Sequence, residues 1–274
     1  MTLRTIARWD AQAVLRDRWF LATAGAFAAL VLAAALVALS AVDVLGVSAF
    51  GRAAATLIHL AMLFVPLIGL TVGAVWIAGE RESGSLVLLL SQPVDRRTIY
   101  GGKFAGVAWA MGGAVAIGFG ASGALLALRA DADRVASFLW LIVLTILLAL
   151  ATLAIGFAVS AAAPTRSRAL GVGLLLWLSL VVLSDLGLLG TAMVLRLPAP
   201  AVLLLGSLNP VSAFRLAAVI GVTGSAELTG PVGLYAVERL GLFGVLLGLT
   251  AIPIAWTVGA FWYGRRAFLR AVEG

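Results

Sequence analysis

The chain has no cysteine among its 274 residues, which excludes disulfides, thiolate metal sites and thiol catalysis within it. Soft metal ligands are nearly absent as well: one histidine (His59) and four scattered methionines (Met1, Met62, Met111, Met193). Charged residues make up 11% of the chain, where a soluble domain carries roughly 25%. No Gly-x-x-x-x-Gly-Lys-Ser/Thr box is present to cradle nucleotide phosphates, and no His-Glu-x-x-His pair or carboxylate cluster suggests a metal site. Internal repeats and low-complexity tracts are missing too. What remains is hydrocarbon: 63% of residues are hydrophobic and the mean hydropathy is +1.13.

A bilayer core about 30 Å thick needs about 20 apolar residues per helix, and the chain supplies six such runs. The expected fold is an all-α integral membrane domain occupying residues 1–274, with spans at about 19–39, 53–78, 104–128, 135–163, 169–195 and 240–263. Thirteen of the nineteen Lys and Arg fall on one side of these spans and six on the other, namely Arg52, Arg129, Arg134, Arg196, Arg215 and Arg239. The positive-inside rule puts the richer side in the cytoplasm, and with an even number of spans both termini lie there. The net charge of +7 then reflects orientation and gives no reason to expect nucleic acid.

Ahead of the first span, Leu3, Ile6, Ala7, Trp9, Ala13 and Val14 share one helical face, opposite Arg4, Arg8 and Gln12. This suits a helix lying in the membrane interface, although Asp10 and Asp17 intrude on its apolar side; a solvated basic tail is the alternative. Ala38-Leu39-Ser40 resembles a signal cleavage site. The apolar run before it exceeds the 7–15 residues of a signal core, so an uncleaved span is expected. Between residues 196 and 239, Pro198 and Pro200 end the fifth span. Asn209 can then cap a helix opened by Pro210 and stopped near Gly221. At about 11 residues that helix is too short to cross, so it is re-entrant or lies on the outer surface.

Few residues offer chemistry. Gly120-Ala121-Ser122-Gly123 matches an intramembrane serine protease box, but the only candidate base, His59, lies upstream; close helix packing is the better reading. His59, in the second span, is read either as a neutral hydrogen-bonded core residue or as a ligand or proton relay. Asp185, in the fifth, has no mid-span cation to pair with, so a structural hydrogen bond and a functional role both stand. Asp43 reads as solvated. Gly69/Gly73, Gly102/Gly106 and Gly244/Gly248 are small-xxx-small pairs that favour close helix contacts.

The segment 79–103 differs from everything around it. Three of the twelve acids (Glu80, Glu82, Asp95) and four of the nineteen bases (Arg81, Arg96, Arg97, Lys103) sit there, between two spans. Gly79 is expected to end the second span, Ser83 to cap a short helix through Ser85, Leu86 and Leu90, and Pro93 to end it. The apolar Val87–Leu90 stretch would face the membrane or neighbouring helices. Such a tip would present charge to a partner in water, with an ordinary charged loop as the alternative.

The run Gly-Glu-Arg-Glu-x-Gly-Ser-Leu-x-Leu-Leu-Leu-x-x-Pro-Val-x-Arg, followed by Gly-Lys, resembles the signature of type-2 ABC exporter permeases. That resemblance implies a single permease domain with no catalysis of its own. It also implies a homodimer and a separate cytoplasmic ABC ATPase that binds ATP and Mg. In that family this segment is the coupling helix, so Glu80, Arg81, Glu82, Gly84, Ser85, Leu86, Pro93, Arg96 and Lys103 become the ATPase-coupling residues. Leu208-Asn209-Pro210, Phe214-Arg215-Leu216, Gly221 and Asp185 are similar to a narrower branch, whose permeases serve copper-site maturation of nitrous oxide reductase. That likeness implies a NosF-like ATPase, a NosD-like periplasmic partner meeting Asn209, Pro210 and Arg215, and a bacterial inner-membrane location. The lack of cysteine argues against a copper path through the chain, since Cu(I) favours thiolate and thioether ligands. Export of a lipophilic drug, lipid or glycan, and a non-transporting scaffold, are the rival readings.

Overall fold

The computed structural model describes residues 2–45, 49–127, 132–224 and 226–273; Asp43, Arg52, Arg129 and Arg134 fall outside the described side chains. In chain order the helices are α1 (Leu3–Val14), α2 (Arg18–Leu45), α3 (Ala49–Glu82), α4 (Ser85–Leu90), α5 (Arg96–Ala127), α6 (Ala132–Ala162) and α7 (Arg166–Leu178). A π-turn over Ser179–Leu183 joins α7 to α8 (Ser184–Leu195), and α9 (Ala199–Ser207), α10 (Pro210–Thr223) and α11 (Gly230–Glu273) follow. Among the described residues, six helices are long and apolar enough to cross a membrane: Arg18–Val37, Ala54–Glu82, Arg96–Gly123, Val135–Ala162, Arg166–Leu188 and Val232–Ala271.

The number of spans agrees with the sequence reading, but several ends do not. Gly79 lies inside α3, which continues to Glu82, and α5 already begins at Arg96. A glycine in a helix interior costs only about 1 kcal/mol, which packing readily offsets. What stops α3 is Gly84, held at φ +76°, a left-handed conformation that disfavours side chains. The sixth span is kinked inside α11 at Gly241, which departs from helical geometry with φ 71° and ψ 162°.

Packing of apolar helices against one another gains little over packing against lipid, so close approach and polar contacts carry the association. α3 and α6 meet through glycines. A Cβ at Gly73 would lie 2.7 Å from the Leu153 carbonyl oxygen, and one at Gly156 would lie 2.8 Å from that of Leu70. Ser160 Oγ accepts from the amides of Ile77 and Ala78 across the same contact, at 3.0 and 2.9 Å. Gly102 and Gly106 of α5 receive α1, where Gly102 faces Ile6 and Gly106 faces Ala7 and Asp10. The third pair behaves differently: Gly248 meets open space and Gly244 only its own turn. Ser122 is buried, with its hydroxyl donating to Gly118 O on its own helix.

α1 buries a narrower stripe than its apolar face suggested. Ile6, Asp10 and Val14 point inward at i, i+4, i+8, while Leu3, Trp9 and Ala13 stay exposed. α9 and α10 meet at 115°. α10 runs past Gly221 to Thr223 and ends on Gly224 in the left-handed conformation. Gly221 is instead a packing glycine, leaving room for the Trp140 indole.

Candidate functional site

The charged segment folds into a clasp beneath an apolar tip. Glu80, Arg81 and Glu82 occupy the last turn of α3, and each engages a different helix. Glu80 Oε1 accepts from Lys103 Nζ of α5 at 2.6 Å. The same ammonium lies 3.2 Å from Asp10 Oδ1 of α1, which also accepts from Trp76 Nε1 of α3 at 2.7 Å. Lys103 and Asp10 are 3% and 4% exposed, so one buried cation ties α1, α3 and α5 together.

Arg81 reaches the end of α6, where its guanidinium donates to Ser160 O at 3.4 Å, to Ala161 O at 3.0 Å and to Ala163 O. The last carbonyls of a helix lack intrahelical donors and carry its negative dipole end, so a cation there is stabilising. Glu82 Oε2 accepts from the Arg166 amide at 2.8 Å, the first residue of α7, where a carboxylate meets free N–H groups and the positive dipole end. Thr165 Oγ1 adds a cap to the same helix by accepting from the Arg168 amide.

The tip itself is uncharged. Ser83 and Ser85 hydroxyls donate to Glu80 O at 3.2 and 3.3 Å, which sets the angle of α4 on α3. Leu86 is buried at the base of α4, whereas Val87 and Leu88 are 67% and 72% exposed. Of the apolar stretch, Leu89 and Leu90 are half-buried against neighbouring helices, while Val87 and Leu88 point away from the bundle. Pro93 is exposed in the turn that follows, with Arg96 and Arg97 at the start of α5. The structure therefore joins Glu80, Arg81, Glu82 and Lys103 in one internal network, with Gly84, Ser85 and Leu86 at its edge, and leaves Arg96 and Arg97 outside it. Asp10, Trp76 and Ser160 belong to the network and were not among the sequence candidates. The hint was Asp10 on an otherwise apolar face.

A second polar centre sits where the π-turn interrupts the fifth span. Leu180 O accepts from Ser184 Oγ at 2.8 Å and from Asn209 Nδ2 at 2.6 Å. Asn209 Oδ1 caps α10 by accepting from the Val211 amide at 2.9 Å. Asp185 accepts from Ser212 Oγ at 3.2 Å and is gripped in a fork by Arg215, with Nη2 at 3.3 Å from Oδ1 and Nη1 on Oδ2. Asp185 thus has a cation partner that the sequence reading lacked, because the 115° bend folds α10 back onto the span. Pro210 is buried and Asn209 is nearly so; both are turned into the bundle. His59 is neither buried nor clustered: its Nδ1 pairs with Ala55 O on its own helix, on an exposed face.

Among the described residues no group of three or more His, Cys, Asp or Glu could hold a metal. Chemically the two centres are mechanical joints: one stiffens an exposed tip, the other fastens a short helix to a span.

The family model described as "ABC-2 family transporter protein" matches residues 4–270. A protein of Stutzerimonas stutzeri with the name "Probable ABC transporter permease protein NosY" is 33% identical over 237 residues, covering 84% of this chain and 86% of the relative. A Pseudomonas aeruginosa protein of the same name is 34% identical over 268 residues, covering 95% of this chain and 93% of the relative. With a transporter model spanning nearly its full length, and with two relatives at 33% and 34% identity over most of it, this chain belongs to the ABC-2 transporter family as a multi-pass permease subunit.

Proposed function

We propose that this permease couples a separate, NosF-like cytoplasmic ATPase to conformational work on a NosD-like periplasmic partner, in copper-site maturation of nitrous oxide reductase. Two copies of the chain pair with two ATPase subunits, in the inner membrane, with both termini cytoplasmic. ATP and Mg bind only in the ATPase, and the permease performs no catalysis.

The observation that carries this reading is the clasp under α4. Val87 and Leu88 protrude on a short helix seated on the last turns of α3, and α3 is bonded there to α1 through Trp76, to α5 through Glu80, to α6 through Arg81 and to α7 through Glu82, so a push on the tip is delivered through α3 to four helices at once. α10, fastened to the fifth span through Asp185 and Asn209, would carry the motion to the outer side. The leucine and valine of the tip suit an apolar cleft in the ATPase, while the charges hold the lever rigid. Copper does not pass through the chain, in keeping with its lack of cysteine.

The test is co-purification from native membranes of wild type and Leu88→Glu. That change leaves every clasp bond in place. An ATPase subunit recovered with wild type and lost with the variant supports the reading, and a periplasmic partner alongside it supports the narrower one. Wild type that recovers no ATPase refutes both.

A further inference from the structure

Between α6, α7 and α11 lies a cleft of about 1000 Å³ that neither polar centre uses. Val159 and Ala163 line one wall, Val172 the second and Ala255 and Gly259 the third, and Arg168 is the only charged residue on it. The Arg168 side chain is exposed, and its guanidinium has no hydrogen bond or ion pair among the described residues. Leu208 and Trp256 line the far end, where the Trp256 indole N–H is already engaged by Leu208 O at 2.8 Å. Apart from Arg168 and the exposed Tyr263, then, the walls offer little to a hydrated solute.

The dimensions fit a particular kind of molecule. Ile155 to Ala163 on α6 and Ala255 to Tyr263 on α11 each cover about 12 Å of helix axis. One leaflet of the bilayer hydrocarbon is about 15 Å deep. Arg168 stands in the first turn of α7, where the span leaves the membrane, so the cleft is apolar over one leaflet and cationic at its headgroup end. We propose that it is a site for an anionic phospholipid, with its acyl chains against α6, α7 and α11 and its phosphate on Arg168. The occupant is a resident lipid of the same leaflet as α4. Its chain ends rest on Leu208, the hinge between α9 and α10, so its presence props the bend of the outer helix pair. This goes beyond the coupling role and does not depend on which substrate or partner the permease serves.

The experiment uses the full-length chain in phosphatidylcholine nanodiscs doped with diazirine-tailed phosphatidylglycerol or diazirine-tailed phosphatidylcholine, followed by photolysis and peptide mass spectrometry. Labelling is expected to concentrate on Val159, Val172 and Ala255. The anionic probe should be favoured about fivefold, the worth of one basic residue at an anionic membrane surface. Arg168→Gln should bring that ratio to about one and Arg168→Lys should keep it. Arg266→Gln, whose cation lies over the Trp262 ring instead of in the cleft, should leave it unchanged. Labelling spread evenly onto exposed Ile117 of α5, or equal labelling by both probes in wild type, would overturn the proposal. So would an inter-copy disulfide formed by Val172→Cys in native membranes, which would show that a second copy of the chain fills the cleft.

Discussion

Removing the Lys103 ammonium should be the most damaging single change to the lever. Lys103→Met keeps the length and apolar stem of the side chain but strands Asp10 and Glu80, which lie 3.2 and 2.6 Å from Nζ. Coulomb's law at an effective dielectric of about 20 gives roughly 4 kcal/mol for a unit pair 4 Å apart, before the desolvation cost is subtracted. What is lost on breaking a buried pair is larger than the net worth of forming it, because the surviving charge stays buried; about 3–5 kcal/mol is expected. Asp10→Asn should cost less, near 1–2 kcal/mol, since the amide oxygen still accepts from Trp76 and Lys103 still pairs with Glu80. The triple change Lys103→Met, Asp10→Asn, Glu80→Gln should recover most of the loss. Equilibrium unfolding in mixed micelles, followed by tryptophan fluorescence, reads all four proteins. If Lys103→Met alone stays within about 1 kcal/mol of wild type, or the triple variant is no better than the single, the cluster is hydrated and the clasp is not what holds α1, α3 and α5 together.

Gly84→Val should destabilise the α3–α4 turn by about 1–2 kcal/mol through its left-handed backbone, and permease-stimulated ATP hydrolysis should fall more than complex assembly does. Arg215→Met should loosen α10 by about 0.6 kcal/mol, the average for polar contacts inside membranes, and by no more than about 1.7, and adding Asp185→Asn should restore part of it. The readout is the maleimide reactivity of a Thr223→Cys probe, free of background because the chain has no other cysteine. Gly156→Leu should separate α3 from α6, costing about 1–3 kcal/mol or more, and should appear as a lower thermal midpoint in detergent. Gly221→Ala should be destabilising through its contact with Trp140 and Gly224→Ala through backbone strain; relieving Trp140 with Trp140→Ala should rescue the first and not the second.

The spans were legible because bilayer thickness sets a length that any apolar run of about 20 residues announces. The charged segment was equally visible as an object, yet its direction was not. Local spacing shows that Glu80, Arg81 and Glu82 fall on three sides of a helix, but not that another helix ends at Ser160–Ala163 beside one of them and a third begins at Arg166 beside another. Asp10 and Lys103 are far apart in the chain, and only the approach of α1 to Gly102 and Gly106 brings them together. Arg215 counts with the outer side in the sequence because the helix carrying it is too short to span. The bend at Leu208–Asn209 is what carries it back to Asp185. Gly221 and Gly224 look alike in sequence, and only the position of Trp140 tells the packing glycine from the helix stop.

The order of letters in Glu-Arg-Glu has a directional meaning. α6 arrives at the tip with its carbonyl end and α7 departs with its amide end, and Arg81 and Glu82, neighbours in sequence, each hold the one of opposite sign. Exchanging those two residues keeps composition, net charge and helix propensity, but sets cation against amides and anion against carbonyls. The motif is therefore a compass reading of which way the neighbouring helices run, and a permease of reversed α6–α7 polarity would have to spell it backwards.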